Sequence, residues 1–200
     1  ANGLERLIRP TTDILVNTTV TSDQIAPKSA ALADGGHVVV WASNQGPNWD
    51  VYAQRYDING QKVGGEFRVN NTTYNQQGYH GTSTGVPNLD VTGLSGGGFV
   101  VTFAGNTGGS GSWEVYARRY DATGTALANE TVVNSNLTGT QMVPQTASLA
   151  NGGYVIAWAS ETQDGDGNGV YAQRYNSEGV AQGSEFRVNV TTTGNQGSRA

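Results

Sequence analysis

The sequence predicts an all-β protein made of three four-stranded antiparallel repeats that resemble the blades of a β-propeller. The first observation is an internal repeat, because Val-Tyr-Ala-Gln-Arg-Tyr-Asp at 51–57 returns with small changes at 115–121 and 170–176. A Gly-Gly pair and an apolar run precede each copy, and a short strand ending in Val-Asn follows it. Repeats of this period are typical of arrays and propellers.

Composition and the apolar runs support the same fold class. Gly accounts for 29 of the 200 residues and charged residues for only 14%, a mixture that suits short strands joined by tight turns. The apolar runs at 38–41, 99–103 and 154–158 are continuous, which predicts strands covered on both faces, as blades are by their neighbours. The alternative is a β-sandwich or β-solenoid, but the repeat is long for a solenoid coil and a sandwich has no reason to repeat.

The first unit shows how each element is justified. Its predicted strands are 14–17, 29–32, 37–42 and 51–57, separated by loops rich in Gly, Asn, Asp and Pro. The turn at Asp34-Gly35-Gly36 is of a kind that needs positive φ. The second unit carries an insertion around 74–87, and the third repeats the first closely.

These elements predict a single repeat domain. A lead-in segment spans 1–13, the domain spans 14–196, and the units are about 14–66, 67–130 and 131–185, with a surplus strand at 186–189. There are four Val-Asn strands for three units, so one of the two terminal strands has no unit of its own. Either the N-terminal strand completes the last unit, or it crosses to a neighbouring chain, or the three units are part of a longer array. Three blades are few for a closed ring, which favours self-association through edge strands.

Charge and cysteine content narrow the function classes. The net charge is −5 and the basic residues are scattered, which argues against a nucleic-acid partner. No apolar run approaches the length that spans a bilayer. The chain has no Cys and little charge, which favours an extracellular, secreted protein of bacterial origin.

The repeat resembles modules of very large bacterial secreted proteins, the RTX-type and adhesin-like proteins. The residues that carry the resemblance are Tyr-Ala-Gln-Arg-Tyr-Asp, then Gly, then Glu-Phe-Arg-Val-Asn, and it covers 14–196. The resemblance implies a repeat type and a secreted setting, and it names no activity. The glycine-rich nonapeptide of the calcium-binding RTX coil does not occur in this sequence.

One loop predicts a calcium site. Asp164, Asp166 and Asn168 alternate with Gly residues, as oxygen ligands do in the first half of a calcium loop. The equivalent loops of the other two units lack this alternation, so calcium is expected in the third unit alone. A polar hairpin loop without a metal is the alternative.

A second pattern predicts a ligand-binding surface. Trp49 with Asp50, and Trp113 with Glu114, stand just before two of the Val-Tyr strands. An indole next to carboxylates can stack on a sugar ring while polar groups bind its hydroxyls. In the alternative interpretation each Trp folds back over the edge of its blade, because an aromatic ring buries a large area.

The recurrent Arg55, Arg119 and Arg174 lie in mid-strand between Tyr residues. Arg can stack on an aromatic ring or pair with a carboxylate. Three identical positions in a repeat favour a structural role in each blade over an anion site.

From these patterns the sequence predicts a non-catalytic extracellular binding or adhesion module for a glycan or another surface partner, and no enzyme. The first alternative is a structural module that self-assembles into a fibre or matrix. The second is a polysaccharide-active propeller enzyme, in which carboxylates such as Asp50, Glu114 and Asp164 would pair across a cleft. Nothing in the sequence brings two of them together.

Overall fold

The computed structural model describes residues 13–79, 88–106 and 111–197, and these residues form twelve β-strands. The prediction of an all-β fold is confirmed. The strands are β1 Gln24–Ala31, β2 His37–Ser43, β3 Asp50–Tyr56, β4 Lys62–Arg68, β5 Leu89–Gly93, β6 Phe99–Gly105, β7 Glu114–Tyr120, β8 Thr131–Val132, β9 Gln141–Ser148, β10 Tyr154–Glu161, β11 Asn168–Tyr175 and β12 Phe186–Arg187.

The strands form three separate four-stranded sheets, each an antiparallel meander in chain order. We call them blade 1 (β1–β4), blade 2 (β5–β8) and blade 3 (β9–β12). Their inner strands β1, β5 and β9 pack side by side, so the blades are arranged as in part of a propeller.

Glycine turns join the inner two strands of every blade, as the Gly-Gly pairs predict. Gly35, Gly97 and Gly152 have φ between +83° and +94°, a region that costs little energy only for glycine. At the same end of blade 1, the Asp57 carboxylate accepts hydrogen bonds from the backbone N–H groups of Asn59 and Gln61. Both turns therefore follow from local sequence.

Burial along the second strand of each blade shows how the blades stack. Every residue of β6 is buried, because blade 2 has a neighbour on each face. In β10, by contrast, buried residues alternate with half-buried ones. One apolar core lies between blades 1 and 2 and another between blades 2 and 3. The continuous apolar runs thus predict two-sided cover correctly for the central blade.

The Val-Asn strands end in a repeated clamp. The Asn70 side-chain oxygen accepts a 2.8 Å hydrogen bond from the backbone N–H of Val51, while its amide donates to the Thr72 carbonyl at 2.6 Å. Asn134 and Asn189 make the same pair of contacts in blades 2 and 3. A buried side chain thereby satisfies backbone groups where the outer strand leaves the sheet.

The boundaries of the three blades differ from those of the units predicted from the sequence. Phe67, placed at the start of the second unit, belongs to the outer strand β4 of blade 1. Residues 186–187, predicted as surplus, form β12 of blade 3. The unpaired repeat is therefore the N-terminal one, since 14–17 forms no strand. Residues 1–12 of the lead-in segment and 80–87 of the insertion lie outside the described residues.

Candidate active site

The predicted ligand-binding residues stand where the third strand of a blade begins. Asp50 opens β3 and Glu114 opens β7, and the pairing of these strands with β2 and β6 places both at the same end of their blades. Each carboxylate accepts a hydrogen bond from the clamp asparagine of its own blade. These distances are 2.6 Å from Asn70 to Asp50 and 2.5 Å from Asn134 to Glu114.

Asp50 is the more deeply buried of the two carboxyls, with 5% of its surface exposed. Burial raises the pKa of Asp50, and this effect exceeds the opposing influence of the Asn70 hydrogen bond and of the Arg68 guanidinium. The Arg68 guanidinium lies 3.9 Å from the carboxylate, and its side chain is 42% exposed. Loss of hydration therefore favours the protonated form of Asp50.

A polar pocket of about 530 Å³, which we call the Asp50 pocket, opens above this carboxyl. Its lining is Thr19, Gln45, Gly46, Pro47, Asp50, Tyr52, Arg68 and Thr73. The half-buried Tyr52 ring stacks on Trp41, with 6.3 Å between ring centroids. The pocket thus combines hydroxyl, amide and guanidinium groups with an aromatic wall and one buried acid.

A second carboxylate contacts one lining residue of the Asp50 pocket, Thr19. Glu66 precedes Arg68 by two residues on β4, and alternate residues of a strand share a face. The Glu66 carboxylate accepts hydrogen bonds from the backbone N–H of Thr18 at 2.5 Å and from the Thr19 hydroxyl at 3.2 Å. Because Thr19 lines the pocket, Glu66 supports its rim.

The sequence identified Asp50 as a site residue and missed Tyr52, Glu66 and Arg68 in that role. The two-residue spacing of Glu66 and Arg68 is the signal that could have placed them on one face. Their proximity to Asp50 depends on the pairing of Tyr52 with Arg68 across β3 and β4. That register becomes visible only in the folded sheet, because a bulge interrupts the pairing.

The two predicted stacking tryptophans lie against the protein. Trp113 is 5% exposed, and Trp49 packs on Tyr79 with 4.4 Å between ring centroids. The backbone carbonyl oxygen of Trp49 accepts a hydrogen bond from Gln77, in the connection between blades 1 and 2, and that of Trp113 accepts one from Gln141, the first residue of β9. The structure therefore matches the interpretation in which each ring folds back over its blade.

Glu114 occupies the equivalent position in blade 2. Burial raises the pKa of Glu114, and the Asn134 hydrogen bond opposes this rise. The outer strand differs from that of blade 1, because Val132 stands at the position that Arg68 holds. Glu114 therefore lacks the guanidinium that faces Asp50.

The predicted calcium loop packs on the C-terminal segment. Asp164 accepts a hydrogen bond from the Asn189 amide at 2.9 Å, and Asp166 accepts one from the backbone N–H of Gly194 at 3.0 Å. The other Asp164 oxygen is buried without a hydrogen-bond partner among the described residues. Asn168 binds the segment through its backbone, at Asn195 and Gln196. No group of three or more His, Cys, Asp or Glu residues within the described part of the chain is arranged to hold a metal ion.

Comparison with known proteins adds a structural likeness and no sequence family. No family model matches the chain, and no curated protein matches it. A solved structure, endo-arabinase from Bacteroides thetaiotaomicron VPI-5482, resembles the chain with a TM-score of 0.46 and 11% identity over 75% of this chain. The match covers 50% of the endo-arabinase chain, so this chain spans about half the length of that enzyme.

This comparison corrects two predictions. The non-catalytic binding or adhesion module, and the prediction that the chain is not an enzyme, run against it, because the solved structure is that of an enzyme. At this distance the likeness shows no activity for this chain, so its function has to be argued from its own residues. Within the described ranges no helix has the length and apolar character to cross a membrane.

Proposed function

We propose that this chain is part of a polysaccharide-active propeller enzyme whose reaction takes place in the Asp50 pocket. The observation that carries the proposal is a buried carboxyl with a raised pKa on the wall of an open polar pocket. A carboxyl whose pKa is raised holds its proton to a higher pH than an ordinary Asp, and in that form it can protonate the oxygen of a scissile glycosidic bond.

The other pocket residues have roles that fit a sugar. Glycoside hydrolysis uses two carboxyl groups, one as acid and one as base or nucleophile. Asp50 takes the acid role here, and Glu66, whose carboxylate contacts the lining residue Thr19, is proposed as the second carboxylate. Arg68, Gln45 and Thr73 present donors and acceptors to sugar hydroxyls.

The setting proposed for this reaction is outside a bacterial cell, with a glycan as the partner. The low share of charged residues, the lack of Cys and the resemblance to repeats of large secreted proteins support it. The negative net charge is compatible with a neutral polysaccharide as substrate.

The experiment is a screen of purified protein on a panel of neutral polysaccharides, with release of reducing ends as the readout. We expect hydrolysis of at least one member and a loss of more than about a hundredfold in Asp50→Asn, the usual scale of general acid catalysis. Asn is isosteric and still accepts the hydrogen bond from Asn70. Since burial disfavours the charged carboxylate, the variant should be at least as stable as the parent at neutral pH.

The matched control is Glu114→Gln, which alters the same clamp in blade 2 without touching the Asp50 pocket. We expect activity within about twofold of the parent. Equal losses in both variants would assign the effect to the clamps and not to chemistry at Asp50. Full activity in Asp50→Asn, or no hydrolysis of any polysaccharide, would overturn the proposal.

A further inference from the structure

Each internal junction between blades joins the same two faces. We call the face that a blade turns toward the next blade its leading face, and the opposite one its trailing face. Leading-face residues of blade 1 share one core with trailing-face residues of blade 2. The junction of blades 2 and 3 repeats this arrangement. The leading residues are Val38, Val40, Ala42, Val51 and Ala53 in blade 1 and Val100, Thr102, Ala104, Val115 and Ala117 in blade 2.

The leading face of blade 3 has the same chemistry and no following blade among the described residues. Its residues at the equivalent positions are Val155, Ala157, Ala159, Val170 and Ala172. The first four of these are half-buried, whereas their counterparts in blades 1 and 2 are fully buried. This face is therefore apolar, only partly covered by Gly197 of the C-terminal segment, and built on the pattern of two established junctions.

The trailing face of blade 1 is the matching half. Val39, Trp41 and Tyr52 stand where blade 2 has Val101, Phe103 and Tyr116, which pack on the preceding blade. A partial cover is provided by Ile14–Asn17, and an apolar pocket of about 310 Å³ remains beneath it. Ile14 and Leu15 stay more than half exposed, at 53% and 59%, so the cover is incomplete.

Polar contacts at the two internal junctions indicate which kind of segment binds the trailing face of blade 1. Glu130 of blade 2 accepts hydrogen bonds from the backbone N–H groups of Asn71 and Thr72, which follow the clamp strand of blade 1. In blade 3, Glu185 accepts one from Ser135 in the same way. Glu66 of blade 1 accepts its bond from Thr18. The segment after Asn17 therefore makes the same hydrogen bond to a glutamate that the end of a preceding blade makes at the two internal junctions.

The side chains of blade 3 at the corresponding positions are exposed. Arg55 packs beside Gly124, and Arg119 binds the Ser177–Glu178 turn, so each contacts the next blade. Arg174 holds the equivalent position and is exposed. Val190, whose backbone corresponds to Asn71, is 91% exposed.

We propose that the leading face of blade 3 docks on the trailing face of blade 1 in a second copy of this chain. The new junction has the same residue positions as the two internal ones. These positions determine its apolar contacts and how the two faces are aligned. Such a contact joins two different surfaces and generates a ring when the rotation closes. Two arcs of three blades give six, within the usual four to eight of a propeller.

The N-terminal segment competes with this docking. Asn17 donates to the Thr19 carbonyl and to Gln24, and Asn189 makes the equivalent contacts with Thr191 and Gln196. Residues 14–24 of one copy and 186–196 of the other therefore require the same position. Removal of the first segment frees the trailing face, so a chain that lacks residues 1–17 should associate at lower concentration.

The test is sedimentation velocity of the full chain over a wide concentration range. We expect a species of twice the 20.9 kDa chain mass. Ala157→Arg, which places a charge on the leading face of blade 3 alone, should weaken the dimer at least tenfold. Thr138→Arg is the matched control, because Thr138 is exposed on the connection between blades 2 and 3. Thermal unfolding of both variants verifies that each is folded.

Three results would overturn the proposal. The first is a single monomeric species at every concentration, both for the full chain and for the chain without residues 1–17. The second is equal association of the Ala157→Arg and Thr138→Arg variants. The third is loss of association on removal of residues 1–17, which would assign contact to a crossing N-terminal strand and not to the blade faces.

Discussion

The Arg119 guanidinium donates a hydrogen bond of 2.6 Å to the backbone carbonyl of Ser177. A residue near the end of β7 thus holds the outer turn of blade 3. The sequence predicted a structural role for the repeated arginines, through a stacked aromatic ring or a paired carboxylate. The structure assigns Arg119 to the turn of the next blade instead.

Replacement of Arg119 by Ala should destabilise the protein by about 1–2 kcal/mol, since hydrogen bonds to charged groups are worth that order and this one is partly exposed. The same change at the exposed Arg174 should cost less than about 0.5 kcal/mol in the monomer. Urea unfolding at low protein concentration measures both. Equal losses would show that the arginines act within their own blades.

Glu130 provides a pH-dependent test of the first junction. Burial raises the pKa of Glu130, but hydrogen bonds from the backbone of Thr72 and Asn71 outweigh it, and the pKa lies below its ordinary value of 4.5. The stabilisation is therefore present above pH 4.5 and is lost as pH falls through the lowered pKa. Glu130→Gln should cost about 1 kcal/mol at pH 7, because the group is half-buried.

The check is urea unfolding of the parent and Glu130→Gln across pH. The difference between them should shrink steadily below pH 4.5. A difference that stays constant into strong acid would mean that packing, and not the carboxylate charge, stabilises this junction.

Two valines at equivalent positions of blades 2 and 3 allow the stabilisation that a neighbouring blade provides to be measured. Val100 is 0% exposed between blades 2 and 3, whereas Val155 is half-buried on the open leading face. Val100→Ala should cost about 2–3 kcal/mol from lost burial and a residual cavity. Val155→Ala should cost less than about 1 kcal/mol in the monomer. Similar costs would contradict the open face.

Calcium binding at the Asp164 loop remains a prediction from the sequence. Its structural support is the buried Asp164 oxygen that has no hydrogen-bond partner among the described residues. Millimolar calcium should raise the melting temperature, because a ligand that binds the native state stabilises it. Asp164→Asn should remove that rise. An equal rise in both proteins, or none in the parent, would leave a metal-free polar loop.

The sequence was sufficient for most strands and turns because these depend on neighbours along the chain, but the predicted strand at 14–17 is not formed. Gly35 and its equivalents specify the tight turns, and the Val-Tyr motif specifies the third strand of every blade. It could not distinguish Arg119 from Arg174, or Val100 from Val155. Each pair is alike in sequence, and only the neighbouring blade separates a buried position from an open one.

The candidate site was predicted in part for the same reason. Asp50 stood out because its type and place in the loop are local properties. Its raised pKa depends on burial by the folded blade, and its association with Arg68 depends on a cross-strand register. Trp113 shows the converse, since an indole in a polar loop lies buried once the next inner strand passes over it.

The clamp asparagines make every blade end chemically alike, and this has a consequence for how such a chain can change over generations. Each blade meets its neighbours through equivalent side chains, so cohesion is close to a sum of nearest-neighbour terms. Duplication or loss of one whole unit creates no junction of a new kind. The length of the array can therefore vary by genetic recombination while each surviving unit keeps a compatible neighbour.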